Sequence, residues 1–249
     1  MRASEFKNLL KNVYSLLEHY KTLPQTLITP VLAAFRLKFE DSKDKTYVIV
    51  LGNLVPQGTD LVHVHDWKGY GIYRRSVVED ERPLYLRADE IDYLTNILKA
   101  DTNFLENELR SNDYSFFVAV KEGPMSFDEK TLASNRILNN FPPGVHEAWI
   151  GNETYYMGII DYLHKYGVKE HVAIKYLGRE TYRRKKPRHT WPNVAANLFW
   201  KTMSALMLPP SFFGLDNESM NPVILEKSVR SLIDWNRFWI RVQDKIFSE

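Results

Sequence analysis

Cysteine is absent from all 249 residues, which rules out disulfides, a thiol nucleophile and thiolate metal sites and is compatible with a reducing compartment. Neither sign of charge dominates. The 33 Lys and Arg against 31 Asp and Glu leave a formal net charge of +2, so global basicity does not point at nucleic acid and any electrostatic attraction must be local. No run approaches the ~20 apolar residues of a membrane-spanning helix, and the N-terminus lacks the apolar core of a signal peptide. A soluble, cytoplasmic chain is expected, at most peripheral to a membrane. Gly-x-x-x-x-Gly-Lys is missing, which excludes a Walker-type nucleotide site. There is no internal repeat and no low-complexity stretch. With 44% hydrophobic and 26% charged residues, the chain can bury a core as one domain or as two small lobes.

What the chain does contain is two apolar, β-prone stretches, each with one aspartate at an end. Residues 112–120, Asn-Asp-Tyr-Ser-Phe-Phe-Val-Ala-Val, place Asp113 at the entrance; residues 155–161, Tyr-Tyr-Met-Gly-Ile-Ile-Asp, place Asp161 at the exit. A buried strand delivers a carboxylate to a cleft in this way. Two such groups facing each other suit phosphoryl transfer, one orienting an attacking hydroxyl and one holding the magnesium that shields the phosphates. For either aspartate alone, the plainer reading as a strand end or cap is favoured.

Around this pair the patterning predicts mixed helices and strands. Residues 4–20 carry Phe6, Leu9, Leu10, Val13, Leu17 and Tyr20 at helical spacing after a Ser4 cap. Residues 32–39 and 46–51 read as strands joined by the polar turn 40–45, the second of them buried. Gly52 to Pro56 breaks the pattern and suggests a lobe boundary. Residues 61–65 form a short alternating strand, 76–87 are charged and extended, and 88–109 have helical period. Residues 121–152, with Gly123-Pro124 and Pro142-Pro143-Gly144, read as a surface insertion. Helices are expected over about 168–177 and 193–207. A last helix follows Asn221-Pro222 with a stripe of Leu225, Val229, Leu232, Trp235, Trp239, Val242 and Ile246. Between them, residues 179–188 hold Arg179, Arg183, Arg184, Lys185, Lys186 and Arg188 against only Glu180. His63, His65 and Asp66 invite a metal reading, to which no second cluster adds ligands.

Four pieces, in order, resemble the phosphatidylinositol phosphate kinase family. Residues 46–54, Thr-Tyr-Val-Ile-Val-Leu-Gly-Asn-Leu, resemble its strand and hinge. His65-Asp66-Trp67-Lys68-Gly69-Tyr70 resembles its Asp-Leu-Lys-Gly-Ser motif, with Trp67 and Tyr70 as departures. Asp101-Thr102-Asn103-Phe104-Leu105 and residues 113–120 resemble its Asp-x-x-Phe-Leu segment and Met-Asp-Tyr-Ser strand, and residues 156–161 its Gly-Ile-Ile-Asp. The resemblance implies an α+β, two-lobed protein-kinase-like lipid kinase fold. Residues 1–55 would be a partial N-terminal lobe with the hinge near 51–56, residues 56–206 a C-terminal lobe, and residues 207–249 a helical extension. It further implies ATP and Mg as cofactors, a phosphoinositide as substrate, Asp113 as catalytic aspartate, Lys68 as a cation near the transferred phosphate and Asp161 as magnesium ligand. Leu51, Asn53 and Glu5 would stand at the nucleotide. The basic stretch within 179–191 takes the place of the family's activation loop, facing an anionic membrane that attracts each Lys or Arg by ~1 kcal/mol. Without the resemblance, that stretch reads as evenly as a solvated loop, a nuclear-import signal or an RNA-binding patch.

A kinase of this family also needs a glycine-rich strand pair and a lysine-bearing strand, and neither is found in these residues. The expectation is therefore of a truncated or catalytically impaired relative. The alternative is a kinase-fold module that binds anionic lipid or a protein partner without catalysis.

Overall fold

The computed structural model describes residues 1–40, 45–67, 84–111, 114–126, 144–148, 152–164 and 206–208, with Ala196, Phe199 and Met203. It opens with α1 (Ala3–Thr22), followed by an antiparallel hairpin of β1 (Val31–Lys38) and β2 (Lys45–Leu51). Next come β3 (Leu61–Trp67), the two-residue β4 (Leu84–Tyr85) and α2 (Ala88–Phe104), which ends in a π-helical turn, Leu105–Leu109. Then β5 (Ser115–Glu122), β6 (Gly144–Glu147), β7 (Glu153–Ile160) and β8 (Met207–Leu208) complete the described strands. The mixture of helix and sheet is the expected α+β class.

The central sheet has the order β3-β5-β7-β6, antiparallel throughout. Successive side chains of a strand point to opposite faces, and the two faces differ here. Trp67, Phe116, Val118, Val120, Tyr155, Met157 and Ile159 lie in the main core with Leu94, Leu98 and Leu105 from α2 and its π turn. Ala119, Val145 and Tyr156, with Phe117, turn to the other face, where Val55 and Met125 cover them. Chain segment 52–55 therefore lies over the sheet.

Several expectations are corrected. The buried row of α1 is Leu9 and Leu16, with Asn8, while Leu10 is 57% and Leu17 47% exposed. A 3.6-residue period leaves positions 9 and 16 on one line and swings 10 and 17 to its solvent side. Ser4 is not the cap: the helix starts at Ala3, and the Glu5 carboxylate accepts the Arg2 N–H at 2.7 Å. β2 is half-exposed rather than buried, because the hairpin has a single sheet neighbour for each strand. The supposed insertion 121–152 contains β6, whose Val145 and His146 are buried against the sheet and α2. Met207 does not end a helix; it pairs in parallel with Leu84, within the stretch read only as extended. The expected helices over 168–177 and beyond residue 220 lie outside the described residues.

Candidate active site

Strand register gathers three separately read stretches at one end of the sheet. Trp67, the last residue of β3, pairs with Phe116; Ser115, the first of β5, pairs with Ile160, the last of β7. In sequence, Lys68 is the next residue after Trp67, Asp113 stands two before Ser115, and Asp161 follows Ile160. Lys68, Asp113 and the basic stretch Arg179 to Arg188 lie outside the described residues. Asp161, Glu5, Leu51 and Asn53 are described.

Asp161 is exposed and holds a left-handed backbone, φ 61°, a conformation that aspartate tolerates better than most residues. The chain turns there. Its neighbours on both sides are tied down. Upstream, the Ile159 N–H donates to the Leu27 carbonyl at 2.6 Å and the Ile159 carbonyl accepts the Thr29 N–H at 3.0 Å. Downstream, the Tyr162 hydroxyl donates to the Thr29 carbonyl at 2.5 Å, as does Tyr20 at 3.1 Å. Burial pushes both phenols up, Tyr20 to about 12 and Tyr162 well above its ordinary value, so both stay neutral donors at physiological pH. Asn8 of α1 donates to the Leu163 carbonyl at 3.4 Å.

The segment 26–29 is in turn held by Asp101, a fully buried residue of α2. One carboxylate oxygen of Asp101 meets His19 Nε2 at 2.8 Å and accepts the Thr26 hydroxyl at 2.5 Å; the other accepts the Leu27 N–H at 2.7 Å. Burial raises the Asp101 pKa, against the lowering effect of these donors. His19 also stacks on Phe104, with ring centroids 4.2 Å apart. The sequence offered Asp101 only as a letter of a motif. Its partners lie 74 to 82 residues away, beyond any local pattern.

Two glycines admit close approaches that shape the region. A Cβ on Gly158 would lie 2.6 Å from a δ-carbon of Leu54, and one on Gly144 would lie 2.7 Å from a δ-carbon of Leu27. Glycine thus lets Leu54 rest directly on β7, three residues before Asp161, and brings the expected hinge to the same strand. Leu51 and Asn53 are exposed there, the Asn53 side chain accepting the Val55 N–H at 3.3 Å. Glu5 reaches past the site instead, to His164 Nδ1 at 3.8 Å. On the entrance to β5, buried Tyr114 meets Phe199 edge-on at 4.7 Å, which fixes the chain beside Asp113.

His63 and His65 share one face of β3, their rings 6.0 Å apart, and the pleat turns Asp66 to the opposite face. Those three cannot converge on one ion. Among the described residues, no group of three or more His, Asp and Glu stands together as a metal cage, and no helix is long and apolar enough to cross a membrane. One exposed carboxylate still suits magnesium, which keeps most of its waters and draws its other ligands from substrate phosphates.

These strands, helices and strand-end acid define an α+β domain built on an antiparallel sheet, with Asp161 at one end of it. The chain belongs to the phosphatidylinositol-4-phosphate 5-kinase family: the family model of that description matches residues 1–148. It is also 27% identical over 174 residues to the phosphatidylinositol 4-phosphate 5-kinase its3 of Schizosaccharomyces pombe, with 61% of this chain and 23% of that protein covered. The chain therefore spans less than a quarter of the length of the curated relative it matches.

Proposed function

We propose that this chain carries a phosphoinositide kinase site, transferring the γ-phosphate of ATP to a headgroup hydroxyl. The observation that carries the reading is the shared end of β3, β5 and β7, where Trp67 pairs with Phe116 and Ser115 with Ile160. Two residues of chain span at most about 7 Å, so Asp113 needs only that reach from Ser115 to approach Asp161. In this reading the Asp113 carboxylate orients the acceptor hydroxyl and takes its proton as the oxygen bonds to the γ-phosphorus and ADP leaves. Asp161 would hold Mg, whose positive charge would offset that on the phosphate oxygens. Lys68 approaches the transferred phosphoryl group. Leu51 and Asn53 border the adenine.

The reading includes a two-lobed arrangement, with residues 1–55 above the hinge, 56–206 below it and 207–249 as a helical extension. Arg179, Arg183, Arg184, Lys185, Lys186 and Arg188 hold the anionic lipid surface, where the enzyme works as a peripheral protein at the cytoplasmic leaflet. The family match over residues 1–148 supports a phosphoinositide kinase reading of the part of the chain it covers.

The test is phosphate transfer from labelled ATP to phosphoinositide-containing vesicles by the full chain. Asp161→Asn and Asp113→Asn should each lower turnover by orders of magnitude with the melting temperature unchanged, since preorganised charge supplies most of the rate in such reactions. If the intact chain shows no magnesium-dependent ATP binding, the reading fails in favour of a non-catalytic module that binds anionic lipid or a protein partner.

A further inference from the structure

We propose that Asp101, with His19, is a positioning residue for Asp161: together they clamp the segment 26–29 that grips the chain on both sides of that carboxylate. The inference rests on the reading of Asp161 as a metal ligand.

Each link is a direct contact. Asp101 accepts the Thr26 hydroxyl and the Leu27 N–H, and its remaining partner is His19 Nε2. The Leu27 carbonyl and the Thr29 N–H then bracket Ile159, two residues before Asp161. The Thr29 carbonyl receives the hydroxyl of Tyr162, the residue immediately after Asp161. One four-residue segment thus fixes the approach and the exit of a left-handed turn whose central side chain is exposed. The Thr26 hydroxyl also accepts the Ile28 N–H at 3.1 Å, so the segment is held at three points in four residues.

A buried carboxylate is a costly way to build a loop. An apolar residue at position 101 would fill the same space, but it would leave the Leu27 N–H and the Thr26 hydroxyl without acceptors. What the carboxylate adds is direction: two donors and the His19 ring nitrogen converging on two oxygens permit one arrangement of α1, the segment 26–29 and α2. Groups behind metal ligands commonly tune affinity 10- to 100-fold by fixing ligand orientation. Here the fixing passes through backbone hydrogen bonds rather than through the carboxylate of Asp161.

Three variants of the full chain separate positioning from plain stability: Asp101→Asn, Tyr162→Phe and, as a control, Leu98→Ala, a buried position one turn earlier in α2. Amide hydrogen exchange is compared at urea concentrations that equalise global stability, and Mn2+ affinity is read by electron paramagnetic resonance with ATP present. The expected result is faster exchange over residues 159–162 in Asp101→Asn and Tyr162→Phe but not in Leu98→Ala. Mn2+ affinity should fall about tenfold in the same two variants, with the KM for lipid unchanged. Exchange at 159–162 no faster than in the control overturns the proposal, as does faster exchange with unaltered Mn2+ affinity. Should Asp101→Asn fail to fold, Tyr162→Phe decides alone. Mn2+ binding that Asp161→Asn leaves untouched refutes the metal assignment, and the exchange rates then judge the clamp independently.

Discussion

Replacing Gly158 by valine tests whether the expected hinge really rests on β7. A Cβ there would sit 2.6 and 2.7 Å from the two δ-carbons of Leu54 and 3.3 Å from its γ-carbon, against a comfortable carbon–carbon separation of about 3.5–4.0 Å. Roughly 1 Å of clearance must be found. Overfilling a packed site costs about 1–3 kcal/mol, and removing a glycine from a strand returns about 0.5–1 kcal/mol. A net loss of about 1–2 kcal/mol is expected. Leu54 takes up part of the clash by changing rotamer and the rest by shifting residues 52–55, where the Gly52 N–H is held by the Pro30 carbonyl at 2.8 Å. The displacement therefore passes toward Leu51 and Asn53, and the KM for ATP should rise. Leu54→Ala removes the colliding atoms, so the double variant should be more stable than the sum of the two singles implies, by about 1 kcal/mol or more. Urea unfolding of all four proteins measures this coupling, and ATP titration reads the hinge. Additivity within about 0.5 kcal/mol would mean that Gly158 and Leu54 do not touch, and the argument bringing the hinge to β7 would be lost.

Strands that announce themselves by composition were legible: residues 46–51, 115–120 and 155–160 are dense in Val, Ile, Tyr and Phe and bounded by polar or glycine-containing turns. β6 was not, because Gly-Val-His-Glu is too short to show a period and lies in a stretch rich in glycine and proline. Its place in the sheet comes from tertiary partners: Gly144 under Leu27, and His146 against Glu90 at 3.1 Å. Pairing order was equally hidden. No local signal states that β5 lies between β3 and β7, yet that order brings the ends next to Lys68, Asp113 and Asp161 together. In α1 the apolar positions were read correctly as a helix but the face was set off its line, since Leu10 and Leu17 are exposed while Leu16, outside the row that was read, is buried with Leu9, and half-buried Tyr20 packs against the core. Asp161 at a strand exit could be read from one line of sequence. Asp101 could not, since its meaning depends on residues from two distant elements.

Further tests address charge. Replacing Arg183, Arg184, Lys185 and Lys186 by alanine removes four cations worth ~1 kcal/mol each at an anionic surface; vesicle cosedimentation should weaken by orders of magnitude at low salt, and the wild-type advantage should shrink as salt screens it. Binding unaffected by the fourfold change would remove the lipid role from this stretch. Phe116→Ala empties the centre of the core between Trp67 and Phe199 and should cost about 3–5 kcal/mol, read by urea unfolding; a loss under 1 kcal/mol would contradict the packing described. Glu90 gives a prediction with a definite sign. Burial pushes its carboxyl up, but the hydrogen bond from His146, the charge of that ring, the Arg87 N–H and the Arg87 guanidinium together hold it below its usual value. A carboxylate whose pKa is lower folded than unfolded stabilises the protein above the unfolded pKa of about 4.3, and loses that contribution as pH falls through the folded value. Glu90→Gln should therefore lower the urea midpoint near neutral pH and approach the wild type as the solution is acidified below about pH 4. The gap must close, because a protonated Glu90 and a glutamine are both neutral partners for His146. A gap that stays constant from pH 7 to pH 3 would show that the bridge from α2 to β6 holds by shape alone and that its charge contributes nothing.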